Sequence, residues 1–321
     1  MTPRTNIQVI NDWPGSGDRG ERKVQTTLIY NGDNTVSSWG FLCDDDDDGR
    51  YSNYALPPGQ GGRVRREFFK IFLDDETLRA AQRQGLARAP QSPEEARRFV
   101  TDYLAKVYEH VKETVETQTG VRYRPGGWDE MAVEFVFSVP TTWTSHDIIN
   151  TYKLIIRDAG FAARAPRHTA IVDLTEAEAA AVATVKSSPV AFRMGDILLS
   201  IDAGGGTTDL ALMQVVSSDP SFPQMSQLDS VSGISIGASL IDRAFVALVQ
   251  SRLARVPEVH SQLIPDFAST MARSHAFKTV KHKFGERAYT QSVYKIQMEG
   301  VAHNYSNEVI GVENGRMIFS M

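Results

Sequence analysis

The apolar and polar positions in the middle of the chain predict a strand–helix–strand unit. Apolar side chains alternate with others over residues 131–138, and the pattern stops at Pro140, as expected of a strand. Apolar residues recur at helical spacing after Ser145, in a helix predicted to end at Gly160, and a short strand follows over 170–173. This order predicts an α/β protein, because helices and strands that alternate along a chain usually pack as layers.

Two further segments have the period of amphipathic helices. In the first, Ser92 and Glu95 match a capping box ahead of apolar residues at helical spacing, and Gly120 is predicted to end the helix. The second covers residues 240–256 and carries charged residues on its opposite face, which predicts a solvated surface. We interpret both helices as structural elements.

Segment 197–216 combines two apolar runs with a glycine-rich turn. The first run ends at Asp202, glycines occupy positions 204–206, and the second run follows Asp209. Apolar runs this short, bounded by glycine, predict two buried strands that form a hairpin. Because glycine tolerates positive φ and has no side chain to hold a ligand away, this turn suits close contact between backbone and ligand.

The residue types in this hairpin are those expected of a phosphate site. Successive N–H groups in a glycine turn form a concave anion site, here with the hydroxyls of Thr207 and Thr208 beside it. Asp202 and Asp209 flank the turn, where carboxylates can hold a hydrated Mg²⁺ against phosphate oxygens. No Gly-Lys-Ser/Thr follows, so the turn is not a P-loop. The alternative is an ordinary glycine hairpin with two solvated aspartates; the phosphate interpretation requires both carboxylates on one side of the ribbon.

The spacing Asp-x-Gly-Gly-Gly-Thr-x-Asp from Asp202 to Asp209 resembles the second phosphate motif of the actin-like ATPase superfamily. Within it, the chain looks most similar to the fungal relatives of the seventy-kilodalton heat-shock chaperones. Further similar elements are Val139-Pro140, Trp143 and the Ala-Gly-Phe run that ends at Phe161. The resemblance implies an α/β fold of the actin-like ATPase (ribonuclease H-like) kind, a two-lobed nucleotide-binding domain with ATP or ADP and Mg²⁺ between the lobes.

The resemblance also implies roles for the residues of the hairpin. Asp202 would orient the attacking water or serve as base, and Asp209 would hold the metal through water, with Asp202 also near it. Gly204, Gly205, Gly206, Thr207 and Thr208 would cradle the phosphates.

Two residues outside the hairpin receive roles from the same resemblance. Glu176 matches a glutamate that points into the cleft near the metal, although Thr175 and Glu178 around it also form a capping box that would serve any helix. Lys70 lies at about the position of a catalytic lysine that offsets charge on the transferred phosphoryl group. Its alternative is an exposed lysine on an amphipathic segment.

In the second half of the chain, the family has a glycine pair and a basic helix that contact nucleotide. Gly237 matches one glycine of the pair, and Ala238 replaces the other. Lys281 occupies the position of a nucleotide-contacting lysine, with an ordinary basic helical face as the alternative.

The chain also departs from the family pattern. Nothing before Trp13 supplies the family's first phosphate hairpin, and no glycine-rich adenosine motif follows the last predicted strand. Ala177 replaces a proline that the chaperones connect with communication between domains. We therefore expect a domain incomplete at both ends, with a first lobe over residues 1–190 and a second over 191–321.

Composition and charge indicate which cellular compartment and which kinds of partner to expect. The 321 residues carry a net charge of −5 and no basic run, which argues against a nucleic-acid partner. The single cysteine, Cys43, fits a reducing compartment, and no apolar run approaches the ~20 residues of a membrane helix. A cytoplasmic protein without a membrane partner is expected, with nucleotide and, by resemblance, unfolded clients or co-chaperones as partners.

Three functions remain open from the sequence. The first is a chaperone-like ATPase that binds ATP and hydrolyses it with Mg²⁺. The second is a truncated or degenerate relative that hydrolyses nothing and acts as a protein-interaction module. The third is a phosphotransferase of the sugar-kinase kind, which requires an acidic base in a sugar pocket that the sequence does not identify.

Overall fold

In the computed structural model, the chain forms mixed α/β structure, which confirms the predicted class. The structure describes residues 7–17, 20–45, 63–83, 89–188, 190–219, 224–229, 233–234, 236–260, 263–264 and 266–320. The chain divides into two compact units, and the division falls between Gly237 and Ala238. The lobe boundary expected between residues 190 and 191 therefore lies inside the first unit; the assignment of lobes stays a prediction.

The first unit contains most of the strands. Its elements are β1 (Thr27–Tyr30), β2 (Val36–Trp39), α1 (Leu42–Asp45), β3 (Val64–Glu67), α2 (Asp75–Arg83), α3 (Pro93–Thr119), β4 (Val133–Val139), α4 (His146–Asp158), β5 (His168–Thr175), α5 (Glu176–Ser187), β6 (Ile197–Ala203), β7 (Thr208–Ser217), β8 (Gln224–Gln227) and β9 (Gly233–Ile234). A 3₁₀ helix, Phe69–Leu73, precedes α2.

These strands form three sheets. In the first, β1 lies between β2 and β3, and both pairings are antiparallel. The second is a parallel pair, β4 with β5. In the third, β7 pairs with β6 and β8, and β9 also pairs with β7. The predicted strand–helix–strand unit is therefore present as β4, α4 and β5.

The ends of the helices follow their sequence signals. Ser92 accepts a hydrogen bond from the N–H of Glu95 at the start of α3, and Gly120 ends that helix with a φ of 66°. Left-handed backbone is accessible to glycine without a steric penalty, so the helix stops there. Ser145 caps α4 by accepting from the N–H of Asp147.

The main core of the first unit is rich in aromatic side chains. Buried residues of α3, α4, the 3₁₀ helix and β1 meet in one apolar cluster that also includes Trp128 and Phe161. A smaller cluster lies under the hairpin. Its buried members are Ala177, Ala181, Ala211 and Met213.

The predicted hairpin exists, but the prediction that both strands are buried is wrong for β6. The side chains of Ile197, Leu199 and Ile201 are 61%, 59% and 61% exposed. Among the described strands β6 pairs only with β7, and only one face of this ribbon contacts α5. The apolar run predicted burial because periodicity alone cannot show whether a second layer covers the other face.

The second unit has its own core. Its elements are α6 (Ser239–Leu253), α7 (Pro257–His260), α8 (Phe267–Arg273), α9 (His275–Lys283), β10 (Val293–Gln297), β11 (Val312–Glu313) and β12 (Arg316–Ser320). Strand β12 lies between β10 and β11. Phe245 of α6 stacks on Phe277 of α9 with ring centroids 4.0 Å apart. Throughout the part of the chain that the structure describes, no helix combines the length and apolar composition needed to cross a membrane.

Candidate functional site

The hairpin of β6 and β7 brings the two aspartates together. Asp202 lies directly opposite Asp209 in the antiparallel register, and Ala203 lies opposite Thr208. Residues directly opposite each other project from the same face of a sheet. Both carboxylates are therefore on one side of the ribbon, as the phosphate interpretation requires.

The four-residue connection of the hairpin leaves several backbone donors unused. The N–H of Gly204 donates to the carbonyl of Thr207 over 2.9 Å. Within the described residues, the N–H groups of Gly205, Gly206 and Thr207 donate to no acceptor. Three successive unbonded N–H groups are the donor set of an anion-binding turn.

None of the three glycines has a left-handed φ, so the expected use of positive φ is wrong. Close approach explains Gly206 instead, and it also explains the glycine at position 237, outside the turn. A Cβ on Gly206 would lie 3.0 Å from Cγ2 of Ile71, and a Cβ on Gly237 would lie 2.5 Å from the carbonyl carbon of Gly205. A Cβ on Gly205 would meet nothing within 4 Å. Gly237 thus closes one side of Gly205, while the side on which a Cβ of Gly205 would point stays open among the described residues.

The two threonine hydroxyls donate to the protein itself. Thr207 Oγ1 donates to Asp209 Oδ2 over 2.7 Å, and Thr208 Oγ1 donates to the carbonyl of Ile236 over 2.7 Å. In this arrangement the donors that remain for a phosphate are those of the backbone.

Asp209 and Asp202 have opposite surroundings although they face each other. Asp209 is 1% exposed, and its Oδ1 accepts from both the N–H of Thr141, over 2.8 Å, and the hydroxyl of Thr141. Asp202 is half-buried, and no described residue forms a hydrogen bond or ion pair with its carboxylate. Asp202 therefore has the oxygen atoms that are available to a water or a hydrated cation.

Lys70 and Glu176, 106 positions apart, form an ion pair. Lys70 Nζ donates to Glu176 Oε1 over 2.6 Å, and both side chains are partly exposed. Lys70 lies in the 3₁₀ helix, whose next residue, Ile71, is the one that contacts Gly206. Lys70 is thus the sequence neighbour of a residue that contacts the glycine turn.

Glu176 is the first residue of α5, and the capping box is also present. Thr175 accepts from the N–H of Glu178, whose carboxylate accepts from the N–H of Thr175. The two interpretations of this segment are therefore compatible: Glu178 caps the helix, and Glu176 is left to pair with Lys70.

Two aromatic residues support the ion pair. Lys70 Nζ lies 5.6 Å from the ring centroid of Trp143, and Trp143 packs edge-on against Tyr152 at 5.3 Å. Burial raises the pKa of Tyr152 above its ordinary value, and the charge of Glu176 raises it further. The Tyr152 hydroxyl thus stays protonated beside a carboxylate.

Sequence reasoning assigned no role at the site to Thr141 or Tyr152. The signal for Thr141 was its position after β4, since the carboxyl ends of parallel strands meet at one edge of a sheet. Val139 pairs with Thr175 at that edge. The loop after β4 and the start of α5 are consequently neighbours. Tyr152 carried no signal of this kind.

Lys281 belongs to the second unit, where its amine already has a partner. Nζ donates to both carboxylate oxygens of Asp242, over 2.8 and 2.9 Å. A bidentate ion pair between α9 and α6 is a structural interaction. The nucleotide contact expected of Lys281 stays a prediction.

The carboxylates of the site suit a hydrated cation better than a directly bound metal ion. Among the described residues, no three His, Cys, Asp or Glu side chains are grouped so that they could hold an ion directly. A hydrated Mg²⁺ needs only one or two carboxylates, because it keeps most of its waters and takes phosphate oxygens as further ligands. Asp202 is the carboxylate of the hairpin that fits this requirement.

Neither the protein-family models nor the curated proteins contain a match to this chain. The resemblance of the Asp202–Asp209 segment to actin-like ATPases therefore stays a prediction.

Proposed function

We propose that this chain binds the phosphates of ATP or ADP at the turn between β6 and β7, as an ATPase domain of the actin-like kind similar to heat-shock chaperones. The observation that carries the proposal is the row of three N–H groups, at Gly205, Gly206 and Thr207, that donate to no acceptor among the described residues. Backbone donors in a row bind phosphate oxygens without needing a side chain, and the open space on the Cβ side of Gly205 allows access among the described residues.

The neighbouring side chains fit a phosphate ligand with Mg²⁺. Asp202 has free oxygens for waters of a hydrated cation, and Glu176 provides a second carboxylate near Lys70. When bound, Mg²⁺ supplies positive charge that offsets the charge of the phosphate oxygens.

In the proposed hydrolysis, the chain contributes positioning and electrostatics. Asp202 accepts a hydrogen bond from the attacking water and takes its proton. The N–H groups of the turn hold the phosphates, and the ammonium of Lys70 stabilises charge on the transferred group once it turns from Glu176. Phosphoryl transfer depends mainly on such positioning, so loss of one element can remove most of the rate and leave affinity.

Calorimetric titration with Mg-ATP tests the proposal. Wild-type protein should bind with a dissociation constant in the micromolar range, and Asp202→Ala and Gly205→Ala should each weaken binding at least about 10-fold. Gly205→Ala is a sharp probe because a methyl group there meets no described residue beyond its chain neighbours within 4 Å and should obstruct a bound ligand. Asp129→Ala, at an exposed aspartate of the same unit, is the matched control. The absence of binding heat for wild-type protein would contradict the proposal.

A second candidate is a domain that binds phosphate but does not turn it over, and acts through contacts with proteins such as clients or co-chaperones. The observation that favours it is the ion pair itself, because Lys70 donates to Glu176 at 2.6 Å and the charge of its amine is already balanced. Phosphate release after addition of Mg-ATP distinguishes the two. Release supports the ATPase; binding without release supports the second candidate. Formation of ADP only in the presence of a sugar, with the phosphoryl group on the sugar and no free phosphate, would instead indicate a sugar kinase.

A further inference from the structure

Asp209 is the most completely buried charged residue of the hairpin, and three donors surround it. Its Oδ1 accepts from the N–H and the hydroxyl of Thr141, and its Oδ2 accepts from the hydroxyl of Thr207. Hydrogen bonds to a buried carboxylate are charge-assisted, so they are about twice as strong as neutral ones. These oxygens face protein donors rather than an open site.

The three residues connect two different sheets. Asp209 is in β7, Thr207 is in the turn, and Thr141 follows the carboxyl end of β4, 68 positions away from Asp209. The same carboxylate thus holds the turn, the hairpin and the loop after β4 together. We call Asp209, Thr141 and Thr207 the Asp209 clasp.

Gly233 closes the clasp from the other side. It lies opposite Asp209 in the pairing of β9 with β7. A Cβ on Gly233 would lie 2.5 Å from Cγ2 of Thr142, 2.9 Å from Oδ1 of Asp209 and 3.1 Å from Oγ1 of Thr141. Its φ is not left-handed, so glycine is required here for space and not for backbone conformation.

We propose that Thr141 is a positioning residue for the phosphate site, and that Asp209 serves the site through its clasp with Thr141 and not as a residue of the metal sphere. The clasp holds the unbonded N–H groups of the turn at a fixed place relative to the loop after β4. Trp143, two residues beyond Thr141, packs beside Lys70, so the same loop also fixes the position of the ion pair. This inference about the organisation of the site rests on the proposed phosphate binding.

The metal-sphere role and the clasp role make different predictions. A carboxylate in the metal sphere matters only when Mg²⁺ is present, and Thr141 would not matter in the same way. A clasp matters for the backbone donors, so Asp209 and Thr141 should act as a unit whether or not Mg²⁺ is present. Residues that act through one contact are also non-additive when both are changed.

The experiment uses the full chain with Thr141→Val, Thr141→Ser, Asp209→Asn and the double variant Thr141→Val/Asp209→Asn. Affinity for ATP and for inorganic phosphate is measured by calorimetry with Mg²⁺ and with a chelator. Thr141→Val and Asp209→Asn should each weaken binding about 10-fold, by the same factor in both buffers. The double variant should be no weaker than either single variant, and Thr141→Ser, which keeps the hydroxyl, should bind like wild type. Thr184→Val, at an exposed threonine of α5, is the control for the valine change.

One result of the affinity measurements would contradict the clasp role of Asp209. If Asp209→Asn weakens binding only with Mg²⁺ while Thr141→Val binds normally, Asp209 belongs to the metal sphere and the clasp role is wrong. All variants are close in shape to the wild-type side chain, and thermal melting shows whether each is folded.

Hydrogen exchange separates failure of this inference from failure of the proposed function. If wild-type protein binds neither ATP nor phosphate, the proposed function fails, but the clasp still predicts a protected amide proton at Thr141, whose N–H donates to Asp209. Its exchange should be about 10-fold faster in Thr141→Val and in Asp209→Asn, with unchanged exchange of the amides between β10 and β12. Exchange at the wild-type rate in both variants would overturn the clasp.

Discussion

The parallel pair of β4 and β5 and the hairpin of β6 and β7 lie in the same unit but are held in different ways. The centroid of Phe161 lies 5.0 Å from the rings of Phe135 and Phe137, both in β4, and 5.0 Å from that of Tyr108 in α3. The hairpin contacts α5 instead through a small cluster of three alanines and one methionine. They are Ala177 and Ala181 of α5 and Ala211 and Met213 of β7.

This difference indicates that the β4–β5 region mainly stabilises the fold, whereas the hairpin mainly shapes the candidate site. Large aromatic side chains bury much apolar area and make specific ring contacts, so the β4–β5 region should contribute most of the free energy of folding. Glycine and alanine bury little, but they let backbones approach, and hydrogen bonds of the Asp209 clasp then define the geometry. We expect changes in the first region to unfold the protein and changes in the second to alter the site in a folded protein.

The largest effect is expected from Phe161→Ala. Removal of this ring from three aromatic neighbours should lower the free energy of unfolding by about 3–5 kcal/mol, because a cavity remains where the ring was. Denaturant titration measures the change. Phe284→Ala, at a side chain that is 63% exposed, is the matched control and should have little effect. Equal effects of the two changes would show that the aromatic cluster does not carry the stability of the unit.

The second prediction compares the facing aspartates of the hairpin. Asp209→Ala should lower the free energy of unfolding by about 2–3 kcal/mol, because the N–H and hydroxyl of Thr141 and the hydroxyl of Thr207 lose their acceptor. Asp202→Ala, directly opposite, should change it by less than about 0.5 kcal/mol, because that carboxylate has no partner among the described residues. Thermal and denaturant unfolding measure both. Similar losses from both changes would contradict the difference in their surroundings.

The third prediction concerns alkaline pH. Burial raises the pKa of Tyr103, in the aromatic core, from 10.0 to about 12. Between these values the unfolded chain loses the phenolic proton and the folded protein keeps it, so stability contributed by the neutral hydroxyl is present below pH 10 and is lost as the pH rises toward 12. Between pH 10 and pH 12 the free energy of unfolding should therefore fall less steeply with pH in Tyr103→Phe, by about 1.4 kcal/mol per pH unit. An unchanged slope in denaturant titrations above pH 10 would contradict the assignment to Tyr103.

The smallest effect is expected on the uncovered face of the hairpin. The double change Leu199→Thr and Ile201→Thr should alter the free energy of unfolding by less than about 0.5 kcal/mol, because both side chains are mostly exposed. It should also reduce self-association, measured by light scattering, since exposed apolar patches on edge strands promote pairing with other chains. Ala211→Thr, on the covered face, is the control and should destabilise by about 1–3 kcal/mol through overpacking. A larger loss from the exposed pair than from Ala211→Thr would show that the face is covered.

The sequence by itself determined the local elements. Caps at Ser92 and Ser145, the stop at Gly120 and the glycine turn after Asp202 were all predictable, because capping and turn formation involve residues a few positions apart. The opposed register of Asp202 and Asp209 follows from the same local rule, since the turn length fixes which residues of a hairpin face each other.

Only the tertiary structure decided which of these residues have partners. The ion pair of Lys70 with Glu176 and the clasp of Asp209 with Thr141 join positions 106 and 68 apart, and no periodicity in the chain encodes such distances. The exposure of β6 was likewise decided by packing, because an apolar strand becomes buried only where another layer covers it. Local chemistry therefore specified the hairpin and its carboxylates, while long-range packing determined that Asp209 is enclosed and Asp202 is left free within the described structure.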